Sequence, residues 1–368
     1  ARSVEMARAI LRRFDFSTEE PSGEGAIVRR MPHGVVAVIT PWNNPVYLPL
    51  GKILPAILAG NGVVWKPAPE TNGIAQTIIE ILHASGCPHE LVQMIPGDAR
   101  TGRSIMAHHC VDAVTMTASD AAGFSASEIC GSRRIPLQAE LGGNNAAIVL
   151  ADADLTSAAS KIASGAFEMS GQRCTANRRA IVESKCLAGF LNLLKVAMAG
   201  LCSGNPLDPE TVIGPLVSRE RRIKVAGMIR RAIADGHTVV QSTFDEERNG
   251  PSYFPPTLVL CDDPSHEIVR EETFGPVLVI QSVENLEEAL ERCNAVRQGL
   301  AAAIFSTNKE SIGHFLREAR AGILKVNRST ADASVDVPFG GWKASGIGPA
   351  EHGEADLEFY FRTQTVYK

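Results

Sequence analysis

The stretch Gly34-Val35-Val36-Ala37-Val38-Ile39-Thr40-Pro41-Trp42-Asn43-Asn44-Pro45 decides the architecture. Val35 to Ile39 are apolar without alternation, as a parallel strand covered on both faces requires. Pro41 and Pro45 stop that strand, because proline cannot donate to a sheet ladder. A helix follows, with Ile53, Leu54, Ile57 and Leu58 at helical spacing and Gly60-Asn61-Gly62 closing it. Residues 62–65 read as the next short apolar strand, running into Lys66-Pro67-Ala68-Pro69.

The rhythm repeats on both sides. Downstream come a helix over 73–85, a strand over 92–95, a loop at Gly97, a helix to about His108, a strand over 113–116, a loop and helix, and a strand over 135–140 that ends on Glu140. Strands alternating with helices at this pitch predict a doubly wound parallel α/β sheet. From Ala147 a second such series begins, with a strand over 179–182 and helices over 187–201 and 219–235. Upstream, residues 4–14 read as an amphipathic helix and 24–31 as a strand. Residues 243–252 are polar and rich in turn formers, which suits a surface loop or hairpin.

Composition bounds the function. The chain has 368 residues, 45% of them hydrophobic, enough for a large core and too many for one ordinary domain. A net charge of −5 gives no electrostatic case for nucleic acid or an anionic membrane, and no apolar stretch is long enough to span a bilayer. The eight cysteines form no CxxC pair and have no ligand-like spacing with histidine. That pattern argues against a metal site or disulfide framework and fits a reducing cytoplasm. The first residue is Ala1, so the chain is expected to begin inside a longer protein.

Several segments offer chemistry. Cys174, in Gly171-Gln172-Arg173-Cys174-Thr175, reads as lying where a loop enters a helix; the dipole, Arg173 and Arg178 would then favour thiolate. A lone cysteine is, by itself, more often a small buried hydrophobe. Glu140 stands at the carboxyl end of a parallel strand, where open α/β sheets bind ligands, yet a capping or salt-bridged glutamate fits that segment equally well. Gly97-Asp98-Ala99-Arg100-Thr101-Gly102, between strand and helix, could present N–H groups to a phosphate. Ser119 could add a phosphate contact or cap a helix. Asn43 could stabilise an oxyanion or simply form a turn.

Taken together, Thr40-Pro41-Trp42-Asn43, Glu140-Leu141-Gly142-Gly143, Gly171-Gln172-Arg173-Cys174, Glu272-Thr273-Phe274-Gly275-Pro276 and Pro338-Phe339-Gly340-Gly341 resemble the signatures of the aldehyde dehydrogenase superfamily, in the family's order and over nearly the whole chain. The resemblance implies an α/β fold with a Rossmann-like cofactor domain over 1–142, a second α/β catalytic domain over 143–345, and a small β oligomerisation element from 18–32 and the C-terminal segment 346–368. It implies a homodimer or homotetramer truncated at the N-terminus. It further implies oxidation of an aldehyde to its acid with NAD or NADP through a cysteine thioester. Cys174 would be the nucleophile, Asn43 an oxyanion donor, Glu140 the base that activates water, and Lys52 a proton carrier. Thr40, Pro41, Trp42, Lys66, Gly102, Ser119, Gly142, Glu272 and Phe274 would hold the cofactor. Asn44, Arg173, Thr175 and Asn327 would line the substrate site.

Departures from the family pattern shape the finer expectations. Pro69 stands where the family often has a glutamate that disfavours a 2′-phosphate, with Glu70 one step later, so NAD and NADP both stay open. After the last SGxG the sequence reads Gly348-Pro349-Ala350-Glu351-His352-Gly353, which leaves a second relay glutamate unassigned. Asn44 in place of an aromatic, with Arg173 and Arg328, points to a polar or carboxylate-bearing semialdehyde, unless those arginines face outward into salt bridges. The alternatives are a CoA-acylating relative, against which Glu140 argues, and a non-catalytic nucleotide-binding protein on the same fold.

Overall fold

A computed structural model describes residues 19–22, 25–243 and 250–367. The helix expected over 4–14, and most of the loop expected over 243–252, lie outside the described residues. The chain forms two compact units. One runs up to Leu141 and takes in Ala333–Gly340 and Gly346–Lys368; the other comprises Gly142–Asp332 and Gly341–Ser345.

The first unit holds β3 (Val35–Ile39), β4 (Gly62–Lys66), β5 (Val92–Met94), β6 (Ala113–Thr117) and β7 (Leu137–Glu140), which pair in parallel in the order β7-β6-β3-β4-β5. A short β17 (Gly346–Ile347) adds antiparallel beside β7. Helices Tyr47–Leu58, Asn72–Ala84, Ala99–Ala107 and Asp120–Arg133 make the crossovers. Val36 and Val38 pack with Ile53, Ile79 and Trp65 in one core cluster, while Ala37 packs with Val114 and Met116 in another. The unbroken apolar run of β3 thus serves two cores at once.

In the same unit β1 (Glu19–Ser22), β2 (Ala26–Pro32) and β18 (Phe361–Tyr367) form a separate antiparallel sheet, with Phe361 opposite Pro32 and Tyr367 opposite Ala26. Phe359 and Tyr360, although aromatic and directly before β18, end a short helix, Ala355–Tyr360. Both rings are buried in the core beside Trp65, and that burial overrides their β-propensity.

The second unit is a seven-stranded sheet in the order β10 (Thr238–Gln241), β11 (Thr257–Leu260), β12 (Val277–Val283), β9 (Asn177–Glu183), β8 (Asn145–Val149), β14 (Ala301–Phe305), β15 (Ile323–Val326). All neighbours run parallel except β10 against β11. Helices Leu155–Phe167 and Ser184–Ala199 cover one face through Ile162, Phe167 and Phe190. Helices Leu286–Asn294 and Lys309–Glu318 cover the other through Leu290 and Phe315.

The segment Ala333–Gly340, taken with the second domain in the sequence reading, groups with the first unit. Val335 packs onto the core that holds Tyr360, and Phe339 bridges Glu351. β16 (Trp342–Lys343), by contrast, pairs with β13 (Gln298–Gly299) of the second unit.

Candidate active site

In the first unit the candidate residues gather where strand order reverses. The sheet grows from β3 to β4 on one side and to β6 on the other, so the carboxyl ends of β3 and β6 flank the switch point where open α/β sheets bind ligands. Thr40, Pro41, Trp42, Asn43 and Asn44 follow β3, Lys66 ends β4, Ser119 follows β6, and Glu140 ends β7. Thr40 is buried and fixes the start of its loop: its Oγ1 accepts from the Trp65 indole (2.9 Å), and its N–H donates to the Lys66 carbonyl (3.2 Å). The Asn44 carbonyl accepts from Leu48 N–H at 3.1 Å, so the loop passes straight into the next helix with Trp42 and Asn43 half-buried on the way.

The Lys66 ammonium donates to the Pro67 carbonyl (2.8 Å). Burial lowers its pKa, and the carboxylates of Glu70 and Asp98 oppose that shift. A β-carbon at Gly102 would lie in ordinary contact range of the Lys66 stem. The turn at 97–102 differs from the sequence reading, because its first N–H groups are already used: Asp98 accepts from Arg100 N–H (2.9 Å) and Thr101 N–H (3.3 Å). Ser119 is exposed at the N-cap of Asp120–Arg133 and makes no side-chain cap.

Glu140 is 4% exposed. Its carbonyl accepts from Ala118 N–H (3.0 Å). Lys52 is 1% exposed and donates to Glu351 Oε1 and to Thr115 Oγ1 (3.2 Å). Thr115 donates in turn to Gln138 Oε1 (2.9 Å), and the Gln138 amide donates to the Ala350 carbonyl (2.9 Å). Burial lowers the Lys52 pKa to about 7, and the carboxylates of Glu140 and Asp356 act in the opposite direction. A lysine held near neutrality inside a polar network can carry protons. Glu351 is the residue that sequence reading left unassigned: its offset from the family pattern hides it, and only its contact with Lys52 reveals it.

Cys174 in the second unit does not open a helix. It sits in a turn between the 3-10 helix Glu168–Gly171 and β9, so the expected assistance from a helix dipole is absent. The helical path ends earlier because Met169, Ser170 and Gly171 are all left-handed, with φ of 52°, 55° and 65°. Each non-glycine residue in that region costs about 1–2 kcal/mol. At Gly171 a side chain would also collide with the Gly275 carbonyl.

Asn145 holds the strained turn. Its amide donates to the carbonyls of Cys174 (2.8 Å) and Ala176 (2.9 Å), and its Oδ1 accepts from Ala301 N–H (2.9 Å). At Gly143 a β-carbon would meet the Cys174 carbonyl. Arg178, fully buried beneath the turn, donates to the carbonyls of Gly171, Arg173 (2.9 Å) and Gly275 (2.9 Å). Burial lowers its pKa to about 10; Glu272 and Cys174 act to raise it, while Arg221 acts to lower it. The guanidinium remains charged at neutral pH and attracts negative charge on the sulfur.

The neighbouring loops interlock because β12, β9 and β8 are adjacent and parallel, so their amino ends lie side by side. Glu272 Oε1 accepts from Gly143 N–H at 3.1 Å. Phe274, left-handed at φ 46°, lies under two guanidiniums, those of Arg221 and Arg178, 5.2 and 5.6 Å from its ring centroid. The Gly142 carbonyl accepts from Ser345 (2.7 Å), and buried Thr175 donates to the Ala331 carbonyl (3.4 Å).

Two expected substrate contacts have other partners. Arg173 turns to Glu168 (3.4 Å) and to the Met169 sulfur (2.9 Å). The Asn327 amide donates to the Ser306 carbonyl (2.9 Å) and accepts from Ser306 N–H (3.1 Å). That places the Asn327 side chain at the carboxyl ends of β14 and β15, whereas Cys174 precedes the amino end of β9.

The second unit carries a thiol in a strained, arginine-backed turn, and the first a switch point of the kind at which open α/β sheets bind dinucleotides. The chain matches the aldehyde dehydrogenase family over residues 1–366. It is 34% identical over 342 residues to the alpha-ketoglutaric semialdehyde dehydrogenase of Bacillus subtilis (strain 168), covering 92% of this chain and 70% of that one. It is 37% identical over 365 residues to the 2-hydroxymuconic semialdehyde dehydrogenase of Pseudomonas putida, covering 95% and 74%. The crystal structure of a Mycobacterium tuberculosis aldehyde dehydrogenase complexed with NAD+ superimposes with a TM-score of 0.93 at 30% identity, covering 100% of this chain and 76% of that one. The chain belongs to the aldehyde dehydrogenase family. It is an oxidoreductase that converts an aldehyde to its acid with NAD or NADP as acceptor. Among the described residues no helix is long and apolar enough to cross a membrane.

Proposed function

We propose that the oxidation runs through a covalent thioester on Cys174. The Cys174 thiolate adds to the aldehyde carbon, and the side-chain amide of Asn43 stabilises the oxyanion that forms. NAD(P)+, when bound, supplies the acceptor for the hydride that leaves this carbon. Glu140 then takes a proton from water as its oxygen attacks the thioester; the C–S bond breaks, and the acid and the Cys174 thiolate are released. Lys52, with Glu351, passes that proton onward. The observation that carries this reading is the Cys174 turn itself, held by Asn145 and backed by the charged Arg178.

The first unit, on this reading, takes the dinucleotide and the second carries the thiol. The residues present fit the cofactor: Lys66 offers a partly buried ammonium, Gly102 leaves room beside its stem, and exposed Ser119 heads a 14-residue helix without using its own cap. Thr40, Pro41 and Trp42, with Gly142, Glu272 and Phe274, would complete the contacts. The substrate is a semialdehyde or similarly polar aldehyde, supported by Asn44 and exposed Arg328 and by the semialdehyde substrates that two relatives are named for. Arg173, paired with Glu168, adds less to that specificity. The protein works as a homodimer or homotetramer in the cytoplasm, the assembly using the edge strand β18, since unpaired strand edges invite pairing.

The test is mass spectrometry of the protein after exposure to an aldehyde panel with NAD and NADP, comparing wild type with Glu140→Gln. An acyl adduct on Cys174 that accumulates in the variant is expected. An adduct on another cysteine would overturn the assignment. Equal efficiency on hexanal and succinic semialdehyde would sink the substrate class alone.

A further inference from the structure

Three side chains from separate elements converge in the second unit. His237 lies between helix Arg219–Ala234 and β10, Cys261 follows β11, and His266 opens the helix Glu267–Arg270. One ring nitrogen of each histidine and the Cys261 sulfur all lie within 4.8 Å of one another. His237 Nε2 is 3.4 Å from Cys261 Sγ, and the two imidazoles meet edge to face at 4.6 Å. Ligands 2.0–2.3 Å from a tetrahedral ion stand roughly 3.3–3.6 Å apart, so this pair already has coordination spacing. Asp235 Oδ2 stands 3.1 Å from His266 Nε2, at the edge of this group.

Cys261 is buried, and Asp262 and Asp263 follow it directly in the chain. Asp235, more than half exposed, leaves a route of entry from solvent.

We propose that His237, Cys261 and His266 form a site for a borderline divalent transition ion of the zinc class, separate from the Cys174 chemistry. Two histidines and a thiolate are donors such an ion takes in tetrahedral geometry, with solvent in the fourth position. Binding releases one proton from Cys261. His266 Nδ1 accepts from Ile268 N–H (3.0 Å), so its proton resides on Nε2, facing Asp235. Coordination through Nε2 moves that proton to Nδ1 and gives up this one cap. The intervals of 24 and 5 residues carry no sequence signature of a metal site, and the convergence is made by the fold.

The test is anaerobic titration of the full chain with cobalt(II), followed by absorption. Visible tetrahedral bands and a thiolate-to-cobalt charge-transfer band are expected at one equivalent. They should persist in Cys174→Ala and in Cys110→Ser, the latter removing an exposed His108-His109-Cys110 trio as a competitor. Cys261→Ser should abolish the charge-transfer band, and His237→Asn should weaken binding by about tenfold or more. If Cys261→Ser fails to fold, His237→Asn decides. A band that survives Cys261→Ser, or disappears with Cys174→Ala or Cys110→Ser, overturns the proposal. So does the absence of binding up to about 100 µM cobalt, an affinity too weak for a site with two imidazoles and a thiolate.

Discussion

The Lys52 ammonium donates to the Glu351 carboxylate within the interior of the first unit, although 299 residues separate them. Thr115 and Gln138 extend that contact into a continuous polar path. Lys52→Met should lower kcat by about a hundredfold, the usual scale for losing a proton-transfer group, with KM for the aldehyde little changed. Lys52 has a folded pKa of about 7, so a relay that needs the neutral amine should gain rate as pH rises through 7. Glu351→Gln removes a negative charge that favours the ammonium, so this limb should move to lower pH. A pH–rate profile unchanged in both variants would remove Lys52 from the mechanism. Folding has the same sign: the unfolded lysine keeps its proton to about 10.5, so this group makes folding more favourable as pH rises from 7 towards that value.

Asn145→Ala should release the Cys174 turn. Two carbonyls and the Ala301 N–H lose their partner, at about 1–3 kcal/mol for each buried group left unsatisfied. Thermal melting should report the destabilisation, and the Cys174 thioester should form more slowly. A folded variant with wild-type burst kinetics would show that the turn does not need this amide.

Gly143→Ala tests the same turn from beneath, because the added methyl would meet the Cys174 carbonyl. Overpacking of this kind costs about 1–3 kcal/mol. The expected outcome is a fall in kcat larger than the loss of stability explains, since the displaced carbonyl moves the nucleophile. A fall in melting temperature with kcat intact would contradict it.

Arg221→Ala removes one of the two guanidiniums over Phe274 and a hydrogen bond to its carbonyl (3.3 Å). The cation–π contact is worth about 0.5–2 kcal/mol. KM for the dinucleotide should rise several-fold while the alkylation rate of Cys174 stays close to wild type. An unchanged KM would dissociate Phe274 from cofactor binding.

Pro69→Glu restores a carboxylate beside Lys66. The ratio of kcat/KM for NAD over NADP should rise by about tenfold, the effect of one desolvated like-charge contact against a 2′-phosphate. A constant ratio would place cofactor selection elsewhere.

The alternation of apolar strands with amphipathic helices is local, and the sequence by itself determined it: β3, β4, β6, β7 and the candidate residues at their carboxyl ends follow from Val35–Ile39, the glycine and proline breaks and the periodicity between them. The five signatures likewise carry their own family resemblance. Other features depend on groups brought together from far along the chain. Cys174 lies in a turn rather than at a helix start because Asn145 and Arg178 satisfy the carbonyls around three left-handed residues, and nothing within the local segment encodes those partners. Glu351 meets Lys52, and His237 meets Cys261 and His266, only after sheet order has brought their loops together. Arg173 and Asn327 show the converse: each residue type suits a ligand, but Glu168 and Ser306 stand closer and take their hydrogen bonds. Periodicity fixes which residues face a core, whereas hydrogen-bond and charge partners at strand ends are set by which strands become neighbours, and that order exists only in the folded chain.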